Sequence, residues 1–70
     1  MRAERRVHIY FGEQYYRRQA IGKTIEIEVR SDGQRVKRRG VLTRAVGLTF
    51  WIGQTVYHVS EVLSVHEVLP

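Results

Sequence analysis

Residues 23–42 read "KTIEIEVRSDGQRVKRRGVL". Ile25, Ile27 and Val29 alternate with Thr24, Glu26, Glu28 and Arg30, which is the period of two of a half-buried β-strand. Asp32-Gly33 follows, a strong signal for a tight hairpin because both residues tolerate positive φ. A two-residue loop there pairs Ser31 with Gln34, and hence Val29 with Val36, Glu28 with Lys37 and Glu26 with Arg39. A four-residue loop from Ser31 to Gln34 gives the same register. A slip of one residue sets apolar against charged side chains, so the pairing is well specified. Lys37 and Arg39 thus face carboxylates, whereas Arg30, Arg35, Arg38 and Arg44 have no evident partner.

Outward from this hairpin the pattern stays β. Gly40 interrupts the returning strand before Val41-Leu42-Thr43, and a glycine inside a strand marks a bulge or a sharp bend. A second hairpin is expected in "GLTFWIGQTVYHV", turning at Gly53-Gln54. It places Leu48, Phe50 and Ile52 opposite Val59, Tyr57 and Thr55 on one face. Trp51 and Val56 lie on the other, beside Thr49 and His58. The end, "SEVLSVHEVLP", reads as one turn over Ser60-Glu61-Val62 and a last strand carrying Leu63, Val65 and Leu69. Toward the N-terminus, "RVHIYFG" alternates Val7, Ile9 and Phe11 against His8 and Tyr10, and Glu13 to Ala20 has the makings of a short helix ending at Gly22. One longer helix from Glu4 is the alternative, with Gly12 against it.

About five short strands, a strongly bent second one and a single turn before the last describe a mostly β protein. We expect a small SH3-like or Sm-like barrel, with residues 24–69 as its core and residues 1–23 as an N-terminal extension holding a short strand, a helix or both. The whole chain is expected to be one domain. An OB fold fits less well, for want of length and of a helix between its third and fourth strands.

The chain has 70 residues, so its core is thin and leaves little room for a buried catalytic pocket. There is no cysteine, which removes disulfides and thiolate metal sites. No apolar run is long enough for a membrane span, and no apolar signal core follows Met1-Arg2-Ala3-Glu4-Arg5-Arg6, so a cytoplasmic protein is expected. The net charge is +5 and the pI about 10.2, basic enough to attract polyanions. Ten of the twelve basic residues are arginine, the rest being Lys23 and Lys37. Arginine suits bidentate phosphate contact and ring stacking, although a GC-rich coding sequence also raises its frequency.

No catalytic constellation is visible. His8, His58 and His66 fall in different expected strands and read as ordinary surface or half-buried histidines, Ser60 and Ser64 have no placed base, and "FGEQYYRRQAIG" lacks the spacing of a phosphate loop. No cofactor or metal is expected. The aromatic residues say more. Phe50 and Tyr57 belong in a core, while alternation turns Trp51 outward, where it can stack a base or a proline ring. The competing reading covers Trp51 with Tyr15 and Tyr16. "YYRRQ" (residues 15–19) interleaves aromatics with arginines as single-strand binders do. It also fits a plain amphipathic helix with tyrosines in and arginines out, and either reading leaves Arg17 and Arg18 exposed.

The region from Ile25 to Glu67 resembles the YolD-like family of small bacterial proteins. The matching residues are Ile25, Ile27, Val29, Asp32-Gly33, Gly40-Val41-Leu42, Leu48-Thr49-Phe50 and the run from Val56 to Glu67. The likeness covers roughly two thirds of the chain and is mostly hydrophobic spacing. The chain departs from the family in being shorter and more basic, and its N-terminal part differs. The resemblance implies association with error-prone DNA polymerases in the damage response and occurrence on phages and plasmids. Sm-like proteins, which bind RNA as rings, are similar at a coarser level, but the glycine and asparagine signatures of their RNA pockets are missing.

The composition and the unpaired arginines favour a non-enzymatic nucleic-acid-binding β-barrel acting on DNA or RNA. Its candidate contacts are Arg17, Arg18, Arg30, Arg35, Arg38 and Arg44, with Trp51 as a stacking residue. The second expectation is a protein-interaction module, a polymerase accessory or a regulator, binding through an edge strand or the Trp51 face. Edge strands also offer a route to homo-oligomers. An enzyme is the least expected, because no acid, base or nucleophile is placed.

Overall fold

The alternations above become six antiparallel strands and one short helix in a computed structural model that describes residues 4–70. The first three positions of the N-terminal extension lie outside these residues. In chain order the elements are β1 (Arg5–His8), α1 (Gln14–Gln19), β2 (Thr24–Ser31), β3 (Gln34–Val46), β4 (Thr49–Ile52), β5 (Thr55–His58), a 3₁₀ turn (Val59–Glu61) and β6 (Val62–Leu69). The strands form one sheet in the order β1-β6-β2-β3-β4-β5. β1 and β5 end that order, so backbone pairing does not close the expected barrel. The extension contains both a strand and a helix, and the single long helix from Glu4 does not form.

The β2–β3 register follows the hairpin reading residue for residue, from Ser31↔Gln34 to Glu26↔Arg39. Asp32 and Gly33 take φ of 50° and 76°, the sign pattern of a type I′ turn, whose twist matches that of the flanking strands. Ile25, Ile27 and Val29 therefore all point inward and are buried. The second hairpin also keeps the expected register, with Phe50↔Tyr57 and Trp51↔Val56. Its inward Phe50 is fully buried, edge-on to Phe11 at 5.1 Å and stacked on Tyr57 at 5.6 Å.

β3 is long enough to serve both halves of the sheet. Residues up to Val41 pair with β2, and from Leu42 the strand pairs with β4, with a bulge at Thr43. Gly40 sits at this changeover. A Cβ there would lie 2.5 Å from Cγ2 of Ile52, so the bend closes only around a glycine. A second bulge corrects the reading of the last strand. β6 pairs Glu28 with Ser64 but Val29 with Val62, which leaves Leu63 unopposed. The extra residue moves Leu63 off the inner face, and it is exposed, while Val65 is buried.

The helix is inverted relative to expectation. Arg17 is only 2% exposed, whereas Tyr15 and Tyr16 face solvent. The Arg17 guanidinium donates from Nη1 to the Phe11 carbonyl and from Nη2 to the Gly47 carbonyl, both at 2.8 Å. It ties the N-terminal segment to the β3–β4 turn, and its Nε is buried with no partner. An arginine consumed in this way cannot reach a phosphate, which removes Arg17 from the exposed candidates. Two carbonyls need that donor, and no tyrosine at this position supplies two diverging N–H groups.

Two substitutions test these features. Gly40→Ala should lower stability by about 1–3 kcal/mol through overpacking, read as a lower urea midpoint at unchanged m-value. Wild-type stability would mean the bend tolerates a Cβ. Arg17→Met keeps the stem and removes both hydrogen bonds. It should cost about 1–3 kcal/mol for the carbonyls left without a donor, and a neutral result in the same denaturation would show that water replaces the guanidinium.

Candidate nucleic-acid interface

The outward side of β2, with its alternate residues Glu26 and Glu28, is where charge is paired off. The Glu26 side chain, 13% exposed, lies 3.2 Å from Arg6 Nε as an ion pair and accepts from Arg6 Nη2 at 3.4 Å and from Arg39 Nη2 at 3.1 Å. Arg39 also grips Glu4 with two bonds of 2.9 Å. Hydrogen bonding from Arg39 holds the carboxyls of Glu26 and Glu4 below their ordinary value of 4.5, with the nearby positive charge adding to it. The same contacts, Glu4 first and Glu26 second, raise Arg39. Lys23 pairs with Glu67 at 3.4 Å.

Glu28 behaves differently from the expectation. Its described partner is Arg35 at 3.4 Å rather than Lys37, which lies directly opposite. Arg35 is its diagonal neighbour, and a long side chain spans that distance. Arg35, expected to be unpartnered, therefore has a carboxylate, though its side chain is 72% exposed and the pair is weak.

Beyond these pairs the hairpin tip is basic. Arg30 stands directly opposite Arg35, with Lys37 next along the outer face. Arg38 is exposed and donates only to the Lys37 carbonyl, at 3.2 Å. Among the described residues, Arg30, Lys37 and Arg38 make no ion pair. The β6 partner strand stops at Val29↔Val62, so the tip runs past the edge of its neighbour. Like charges held across from one another repel, and bound anions relieve that repulsion.

Arg44 and Trp51 form a second, separate group. They are cross-strand neighbours, and the Arg44 guanidinium lies 4.8 Å from the Trp51 ring centroid. Trp51 is half-buried and Val56 across from it is exposed. The ring faces outward as alternation requires, but its cover is Arg44. Tyr15 and Tyr16 do not cover it: their described ring partners are each other and Tyr10. Arg18 is exposed on α1. The candidate residues thus fall into a hairpin tip, an Arg44–Trp51 pair and a helix surface, with Arg17 in the core.

The histidines are placed by backbone pairing. His8 and His66 face each other across β1 and β6 with rings 5.4 Å apart, and among the described residues no three His, Asp or Glu side chains gather to hold a metal ion. Ser60 has a nearby base after all, since His58 Nδ1 is 2.7 Å from its hydroxyl. The same nitrogen accepts the Ser60 N–H at 3.1 Å, and Glu61 accepts the His58 N–H at 3.2 Å. This reciprocal pattern caps the 3₁₀ turn, which accounts for the contact. No helix among the described residues is long and apolar enough to cross a membrane.

The Glu4–Arg39–Glu26 cluster makes a pH prediction. Carboxyls depressed in the folded state bind fewer protons there than in the unfolded chain, so their stabilisation is complete above 4.5 and is lost as pH falls through the folded values. The wild-type urea midpoint should drop more steeply below that pH than the midpoint of Arg39→Met. Parallel curves would mean that Arg39 does not hold the carboxyls. No protein-family model, curated protein or solved structure matches this chain.

Proposed function

We propose that this chain is a small, basic, non-enzymatic nucleic-acid-binding protein of SH3-like or Sm-like layout, cytoplasmic and acting in DNA replication and repair or in phage and plasmid regulation. The fold reading draws support from the long bent β3, which serves both halves of the sheet, and from the 3₁₀ turn before the last strand. The resemblance to the YolD-like family supports the cellular setting.

One observation carries the binding reading. The hairpin register sets Arg30 opposite Arg35, with Lys37 next along the same face, while Arg38, opposite Ile27, leaves from the other face of the ribbon; the only described ion pair at this end of the hairpin is Arg35–Glu28. A phosphate backbone neutralises such a tip and releases its own counterions, which supplies affinity without reading sequence. Arg44, already stacked on Trp51, offers a second contact in which a ring face and a guanidinium act together.

A second reading is a protein-interaction module, and the unpaired edges of β1 and β5 favour it. Such an edge can be extended by a partner strand or by a second copy of the chain. In that case Trp51→Ala would lose a protein partner while keeping its fold.

Fluorescence anisotropy against labelled single-stranded DNA, duplex DNA and RNA separates the two readings. Affinity should fall steeply with salt. In the triple variant Arg30→Gln, Arg35→Gln, Arg38→Gln the slope of log K against log salt should shrink by about 2–3, the count of phosphate contacts removed. Absence of binding at low salt would overturn the nucleic-acid reading and leave the edge strands as the surface to pursue.

A further inference from the structure

The inverted helix leaves three aromatic rings at the surface. Tyr10, Tyr15 and Tyr16 are 56%, 65% and 43% exposed. They are not scattered: Tyr10 and Tyr16 lie 5.1 Å apart and tilted, and Tyr15 and Tyr16 lie 5.2 Å apart and edge-on. The rings form one continuous ridge from the segment after β1 across α1. The Tyr10 ring lies over Gly12, where a Cβ would come within 2.7 Å of it. The core does not use the ridge. Phe11, within its span, and Ala20, just after it, fill the adjacent interior, and Arg17 takes the inward position of the helix.

The surroundings of Tyr15 have a definite chemistry. A shallow surface depression beside it is lined by Gln14, Arg18 and Gln19. The ring offers a π face, the two amides offer donors and acceptors, and Arg18 offers a cation for phosphate. α1 has the sequence QYYRRQ and carries no carboxylate. Amides, an arginine and open rings without acid match nucleobases joined by phosphates, and they match a peptide chain less well.

We propose that Tyr10, Tyr15 and Tyr16, flanked by Arg18, form a base-stacking platform for single-stranded nucleic acid. This deepens the nucleic-acid reading and rests on it. Single strands are the ligand because their base faces are open, whereas a duplex covers its base faces by stacking on itself. The platform and the basic tip divide the work. α1 leads into the start of β2 and the tip lies at its other end, roughly 23 Å away at 3.3 Å per residue. The tip holds phosphates and the ridge holds bases.

The test compares oligothymidylate of about 15 nucleotides, near the upper site size of a small single-strand-binding domain, with an abasic oligonucleotide of equal length and charge. Anisotropy is read over a salt series for the wild type, Tyr15→Ala, Tyr15→Phe and Arg30→Gln/Arg35→Gln. The wild type should prefer oligothymidylate by about five-fold or more. Tyr15→Ala should abolish the preference without changing the salt slope, and Tyr15→Phe, which keeps the ring, should retain it. The double arginine variant should lower the slope while keeping the preference. Equal wild-type affinity for the two oligonucleotides, or a preference that survives Tyr15→Ala, overturns the platform alone. No binding of either at low salt overturns the platform together with the nucleic-acid reading.

Discussion

The Asp32-Gly33 turn is the constraint on which the rest of the molecule depends. Its two positive φ values set the twist of the hairpin and, with it, which residue faces which along β2 and β3. One face of β2 then becomes the floor of the core through Ile25, Ile27 and Val29, and β6 lays Val65 beside them. The other face carries Glu26 and Glu28 toward the basic residues of β3. Because side chains alternate strictly along a strand, a single turn decides the core and the charge pattern at once.

The charge pattern is a subtraction. Of the carboxylates, Glu4 and Glu26 are held by Arg39, with Arg6 on Glu26, Glu67 by Lys23 and Glu28 by Arg35, and Glu61 caps the 3₁₀ turn. Among the described residues, Arg5, Arg18, Arg30, Lys37, Arg38 and Arg44 take no part in these ion pairs. A net charge of +5 says only that cations are in excess; the register says where the excess stands. The paired cluster around Glu26 holds β1, β2 and β3 together, while at the tip the one described ion pair is the exposed Arg35–Glu28 contact.

Arg17 shows how a local preference yields to the surrounding structure. A six-residue helix has little stability of its own and takes its orientation from what it packs against. Two carbonyls, of Phe11 and Gly47, converge where α1 meets the β3–β4 turn, and a guanidinium satisfies both. Leaving them unbonded in the interior would cost more than exposing two tyrosine rings that keep their hydroxyls in water. The same choice that welds the N-terminal segment to the sheet puts Tyr15 and Tyr16 outside.

Sequence by itself determined the two hairpins, their registers and the bend at Gly40, because each rests on a period or on turn chemistry confined to neighbouring residues, whereas it left the strand-and-helix form of the N-terminal extension open against one longer helix. The outward direction of Trp51 came from the same alternation. Tertiary structure alone decided the rest. The bulge at Leu63 depends on a partner strand over thirty residues away, and the burial of Arg17 depends on a carbonyl thirty residues along. The choice of Arg35 over Lys37 by Glu28 depends on side-chain reach across a twisted ribbon. The tyrosine ridge became visible only once the helix had an orientation, and the unclosed sheet only once β1 had paired with β6 and β5 with β4 rather than with each other. Periodicity records which way a side chain leaves its own backbone; what waits on that side is set by chain folded back from elsewhere.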